Sequence, residues 1–120
     1  MVFWDIRGIV HYEFLQEGKT INAEYYCDVL DRLKEAIWLK RPDLLNRASI
    51  VFQQDNARPH TAKFTKQYLE EKKLVNLDVL PHPPYSPDIA PCDYYLFLDM
   101  SNELRKHDTK FANTTEAKQW

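Results

Sequence analysis

Ser49-Ile50-Val51-Phe52-Gln53-Gln54-Asp55 runs directly into Asn56-Ala57-Arg58-Pro59-His60. The first seven residues read as a strand. Ile, Val and Phe favour pleated backbone, and the run is too short for an ordinary helix. It is apolar enough to lie centrally in a sheet, and it ends in a carboxylate. The next five residues make a polar turn. Thr61 can then cap a helix through about Lys72, with Phe64, Tyr68 and Leu69 on one face. A strand that feeds a helix is the repeating unit of α/β folds, in which ligands gather at strand carboxyl ends.

Upstream, Val2-Phe3-Trp4 is a short apolar run that ends in a second acid, Asp5. Ile6-Arg7-Gly8 reads as a turn, with Gly8 free to take positive φ. Ile9 to Leu15 is rich in β-branched and aromatic residues and reads as a second strand. After the turn Gln16-Glu17-Gly18-Lys19, Thr20-Ile21 is expected to start a brief third strand, which completes an antiparallel meander. Asn22 is placed to cap a helix in which Tyr26, Val29, Leu30, Leu33 and Ile37 recur at helical spacing. Pro42 sets its end near Arg41.

Downstream, Val75, Leu77 and Val79 alternate as in a fifth strand. Five of the seven prolines then fall between Pro81 and Pro91. Prolines fix φ, so this long loop is expected to be ordered. It leads to a third acid, Asp93, and the helical run Tyr94-Tyr95-Leu96-Phe97-Leu98-Asp99-Met100. The pattern fades after Leu104, and residues 106–120 form a polar, weakly patterned tail.

The element order is strand, strand, strand, helix, strand, helix, strand, helix. This predicts an α/β fold with a mixed sheet: a three-strand meander followed by helix-strand units. In such a sheet the first and fourth strands can lie parallel and adjacent, which would bring Asp5 and Asp55 together.

A chain of 120 residues suits one domain, here 1–120. Its hydrophobic fraction of 44% and aromatic fraction of 13% suit a packed core. No apolar stretch approaches the roughly 18 residues of a membrane span, and no secretory leader is evident. Cys27 and Cys92 match no metal or redox spacing and are expected as free thiols. The net charge of −2 counts against avid nucleic-acid binding by this segment alone.

Three acids, each at the end of an element, have the chemistry of a divalent-cation site. Hard cations prefer oxygen ligands, and Mg²⁺ is commonly held by a few carboxylates together with substrate phosphate. Each acid also has a plainer reading. Asp5 alone can be a turn residue and Asp93 a helix N-cap, and the neighbouring Asp88 suits an Asx-turn, its carboxylate accepting from the backbone.

Three segments carry a resemblance: Phe3-Trp4-Asp5-Ile6-Arg7-Gly8, Gln54-Asp55-Asn56-Ala57-Arg58-Pro59-His60, and His82-Pro83-Pro84-Tyr85-Ser86-Pro87-Asp88-Ile89-Ala90-Pro91-Cys92-Asp93-Tyr94-Tyr95-Leu96-Phe97. Together they resemble the catalytic domain of mariner-type DNA transposases, to about Leu104. Thirty-seven residues separate Asp55 from Asp93, a spacing similar to one branch of that family. The resemblance implies a ribonuclease H-like fold and cut-and-paste DNA transposition, with Mg²⁺ or Mn²⁺ as cofactor, two ions per site. Asp5, Asp55 and Asp93 would be both the catalytic acids and the metal ligands.

The implied partners are double-stranded DNA, as transposon terminal inverted repeats and target DNA, and a second copy in a full-length homodimer. No membrane partner is implied, and the implied location is the nucleus. Asn56, Arg58 and His60 are candidates for DNA contact; Asn56 and His60 equally suit orienting Asp55 or stabilising its turn. His82 reads as structural. Tyr94, Tyr95 and Phe97 read better as core than as base-stacking groups. The family's paired helix-turn-helix units are not in these residues, and few residues precede Asp5, so a fragment truncated at both ends is expected. The rival expectation is an inactive or domesticated remnant that binds DNA or protein.

Overall fold

The computed structural model describes residues 1–47, 49–71 and 77–120. These fall into two compact units, Met1–His82 and Pro83–Trp120.

The first unit opens with strand β1 (Val2–Asp5), which turns through Ile6 and Arg7 into antiparallel β2 (Gly8–Tyr12). The register pairs Asp5 with Gly8 and shifts between Phe3 and Trp4. Gly8 takes φ +118°, a conformation that side chains disfavour, so the tight turn needs glycine there. The expected third strand does not form. Thr20 and Ile21 are irregular; the half-buried Ile21 packs against the core just before Asn22 caps the next helix. Two residues held between a turn and a cap have too little free length for a ladder.

Helix α1 (Ala23–Lys40) forms as its periodicity predicts. The Asn22 side chain accepts from the Tyr25 amide at 2.8 Å, satisfying one of the donors left open at the helix start. Tyr26, Leu30, Leu33 and Ile37 form one buried stripe that meets Val10 of β2, and Phe3, Ile50, Phe52, Tyr68 and Leu69 pack around it. Beyond Arg41, a 3₁₀ turn (Pro42–Asn46) follows, and then β3 (Ile50–Phe52).

β3 is shorter than the predicted 49–54 strand and pairs in parallel with β4 (Leu77–Val79), extended by a 2.9 Å bond from the Leu80 amide to the Phe52 carbonyl. The expectation of a central β3 is therefore corrected: among the described residues it lies in a two-stranded sheet, and Val51 is exposed. The expected β1–β3 ladder is absent among the described residues. Both strand senses occur, but in two separate pairs. β1 meets β3 through the stacked rings of Phe3 and Phe52, 6.3 Å apart, a side-chain contact.

Thr61 does not cap the following helix. It ends a four-residue helical turn, α2 (Arg58–Thr61), and Ala62 separates that turn from α3 (Lys63–Glu71). Pro59 explains the early start, since proline suits a first helical turn. Lys72 and Val75 lie outside the described residues. α1 packs against both α2 and α3.

In the second unit, Pro84 and Tyr85 turn the chain, with Tyr85 at φ 54°. Asp88 sits in a 3₁₀ turn (Pro87–Ile89) closed by backbone bonds from Ile89 to Ser86 and from Ala90 to Pro87. A π-helical segment (Cys92–Phe97) continues into α4 (Leu98–Lys106). Tyr94, Tyr95 and Phe97 are each about half exposed, so the core expectation fails for them. The helix supplies one apolar face but these rings occupy more of its circumference.

The tail holds α5 (Thr114–Gln119). Asn113 accepts from the Glu116 amide at 2.9 Å, and Glu116 accepts from the Ala112 amide at 2.8 Å. Asn-x-x-Glu is a capping-box signature that was open to reading in the sequence. No helix among the described residues is long and apolar enough to cross a membrane. Among the described residues neither Cys27 nor Cys92 forms a disulfide.

Glu13 ties β2's exit to α1. It accepts from Arg32 through both oxygens, at 2.5 and 2.9 Å, and bonds His11 at 2.8 Å. The Arg32 hydrogen bonds are the main reason its pKa falls from 4.5 to about 2. A depressed carboxylate contributes stability that is complete above its unfolded value and is lost as pH drops through the folded one. Thermal melting of the chain should therefore lose part of its midpoint between about pH 4.5 and 2. Glu13→Gln should flatten that part of the profile; an unchanged acid limb would refute the role.

Candidate functional site

Asp5 ends β1, and its carboxylate is already engaged. Oδ1 accepts the Arg7 amide at 2.8 Å and Arg41 Nη2 at 3.1 Å; Oδ2 accepts Arg41 Nε at 2.8 Å. Arg7 Nε stands 3.6 Å from Oδ2. These contacts, the Arg41 hydrogen bonds foremost, hold the Asp5 pKa at about 2. Arg7 also pairs with Asp43 at 3.1 Å. Neither Arg7 nor Arg41 stood out in the sequence: nothing in the spacing of positions 5 and 41 marks them as neighbours.

Asp55 follows β3 at the head of the turn into α2. Its Oδ1 accepts the Ala57 amide at 3.0 Å, an Asx-turn, and meets His60 Nδ1 at 2.7 Å. Both bonds fall on Oδ1, and the side chain is 61% exposed, so the group is oriented yet reachable. His60 is held from behind by the Tyr26 ring, with centroids 4.3 Å apart. Tyr26 donates its hydroxyl to Gln54 Oε1 at 2.6 Å. Burial, with the Asp55 charge second, raises the Tyr26 phenol far above its ordinary value and keeps it a neutral donor.

Asn56 donates to the His82 carbonyl at 2.7 Å, while Gln53 Nε2 lies 3.3 Å from His82 Nδ1. The start of the proline-dense loop is thus fastened to the Asp55 turn, and His82 is structural, as expected. Arg58 is exposed at the start of α2. Asp93 lies exposed in the first turn of the π-helical segment, its amide donating to the Ala90 carbonyl at 2.9 Å. It is thus past the capping position. Helical segments of this wide type occur often at functional sites.

Oxygen donors of this kind suit a hard divalent cation. Among the described residues, however, no three His, Cys, Asp or Glu side chains stand together as a group that could hold one. Asp5 and Asp55 have the right donor chemistry, with Asp5 closed by its guanidinium partners and Asp55 half open.

The family described as "Transposase (partial DDE domain)" matches residues 1–47. The mariner Mos1 transposase of Drosophila mauritiana is 39% identical over 120 residues, which cover 99% of this chain and 33% of that protein. The human histone-lysine N-methyltransferase SETMAR is 38% identical over 116 residues, 97% of this chain and 16% of that protein. A solved structure of the Mos1 transposase catalytic domain with raltegravir and Mn superposes with TM-score 0.87 at 40% identity, covering 99% of this chain and 57% of that one. The fold is that of a ribonuclease H-like catalytic domain, and the chain spans only part of each relative. Sequence and fold together place it with the catalytic domains of mariner-type DNA transposases.

Proposed function

We propose that these 120 residues carry the acid triad of a divalent-metal-dependent domain that cuts and joins DNA at transposon ends. The observation that carries this reading is Asp55: an exposed carboxylate at a strand end, oriented by the Ala57 amide and by His60. It stands on a fold similar to the Mos1 domain solved with Mn and with Mg. Other solved Mos1 structures similar to this chain are a pre-cleavage transpososome and a strand transfer complex.

Asp5, Asp55 and Asp93 would hold two metal ions, Mg²⁺ or Mn²⁺. Bound metal supplies activation of the attacking oxygen and neutralisation of the leaving one in an in-line displacement. The chain's own residues do the positioning. His60 fixes the rotamer of Asp55, and Tyr26 fixes His60. Asn56 anchors the loop that leads towards Asp93, leaving its own acceptor for DNA. Arg58, exposed at the start of α2, suits a phosphate contact that gives affinity without base readout.

The DNA substrates are terminal inverted repeats and target DNA, the working form is a homodimer of the longer protein, and the site of action is the nucleus. On this reading residues 1–120 belong to one catalytic domain, with 106–120 as its tail. The test is cleavage of pre-nicked transposon-end DNA by the chain in Mn²⁺. Metal-dependent product, removed by chelation, is expected; cutting of RNA–DNA hybrids alone would point to a general nuclease instead. A second reading, an inactive remnant that binds DNA or protein, draws on the closure of Asp5 by Arg41. It predicts DNA retention with no product under any metal.

A further inference from the structure

Arg41 is built into the end of α1 in a way that aims it. Its backbone amide donates to the Ile37 carbonyl at 2.8 Å, and Pro42 stops the helix behind it. Nη1 donates to the Lys40 carbonyl at 3.0 Å, which turns the remaining edge of the guanidinium onto Asp5. Nε and Nη2 then grip both oxygens of Asp5 as a fork, and the Arg41 side chain is only 12% exposed.

A carboxylate offers about four lone-pair sites. The Arg7 amide and Arg41 Nη2 take Oδ1, Arg41 Nε takes one site on Oδ2, and the Arg7 guanidinium hovers at 3.6 Å. A divalent cation that approached Asp5 directly would meet two positive groups and one open lone pair.

We propose that Arg41 is a latch on Asp5: it holds the carboxylate in place in the resting chain and must release it before Asp5 can ligate metal. The proposal rests on the reading of Asp5 as a metal ligand. It makes Arg41 a positioning residue that sets metal affinity. Two features supply an exit for the released guanidinium. Asp43 follows Arg41 by two positions and already pairs with Arg7. A DNA phosphate entering with the metal offers a second anion in the planar, bidentate geometry that arginine favours. The latch thereby couples opening of the acid to arrival of substrate.

The experiment is Mn²⁺ binding to the whole chain, read as loss of the free-ion electron paramagnetic resonance signal. The proteins are wild type, Arg41→Gln, Arg41→Lys, Asp55→Asn, and Arg41→Gln combined with Asp5→Asn. Arg41→Gln should bind about tenfold more tightly, the worth of about 1.4 kcal/mol in lost charge-assisted competition. Arg41→Lys, which keeps the charge but not the fork, should gain less. The gain should vanish in the combined variant. Circular dichroism of Arg41→Lys guards against a fold defect in Arg41→Gln. Binding that Asp55→Asn abolishes but Arg41→Gln leaves unchanged or weakens would overturn the latch while sparing the metal site. Absence of any acid-dependent binding in all five proteins would overturn both.

Discussion

Asp55→Asn should lower metal-dependent cleavage of transposon-end DNA by at least about a thousandfold, since several kcal/mol of charge stabilisation depend on a ligating carboxylate and each decade in rate is about 1.4 kcal/mol. The substitution is nearly isosteric. Its side-chain oxygen can still accept the Ala57 amide, so the Asx-turn that heads α2 survives. The position is exposed, and the buried stripe of α1 meets it only through His60. The loss should therefore appear in the rate and not in the melting temperature. Single-turnover cleavage in Mn²⁺, run beside a thermal melt of the same preparation, separates the two. A variant that keeps more than a tenth of the wild-type rate would exclude Asp55 from the chemistry.

The second large effect concerns folding. Leu33 is 4% exposed, in the middle of the α1 stripe between Leu30 and Ile37. Leu33→Ala removes buried methyl groups and leaves a cavity that rigid neighbours fill poorly, a combination that typically costs about 2–5 kcal/mol. For a unit of this size the melting midpoint should fall by roughly 10 °C or more. Trp38→Ala is the control. Trp38 lies off the stripe on the same helix, is 60% exposed, and should change stability by no more than about 0.5 kcal/mol. Equal losses from the two substitutions would show that the stripe is not the core. Urea titration with an unchanged slope would confirm that both report stability alone.

α1 was legible almost residue by residue because two independent signals agree. Asn22 is a competent cap, and Tyr26, Leu30, Leu33 and Ile37 repeat at the helical period. β1, β2 and the short β3 and β4 were legible as elements, since β-branched and aromatic runs have few other uses. Their pairing was not. Two residues at Thr20-Ile21 carry strand propensity, but propensity cannot supply a partner edge, and the chain needed that length to enter α1. The predicted core role of Tyr94, Tyr95 and Phe97 failed for a similar reason: apolar character says that a ring can be buried, and the backbone decides whether it is. The α5 capping box is written in Asn113-Thr114-Thr115-Glu116, but the polar tail around it lacks the apolar repeat that marks a packed helix.

The three acids were singled out by sequence, with His60 a candidate to orient Asp55, whereas the arginine partners of Asp5 came only from structure. That Asp55 would follow an apolar strand is written into the order of residues 49–55, because hydrophobic pattern acts locally. That His60 would hold it was within reach, since five positions along a turn and a helix start is a local distance. Arg41, by contrast, sits 36 positions from Asp5. Its grip exists because α1 packs back on the β1–β2 hairpin and ends at Pro42 where Asp5 emerges. The amino-acid sequence by itself determined the helices, the strand runs and the chemical identity of the acids. Only tertiary packing decided which strands pair and which charge faces which, because those choices depend on contacts between segments that no local pattern encodes.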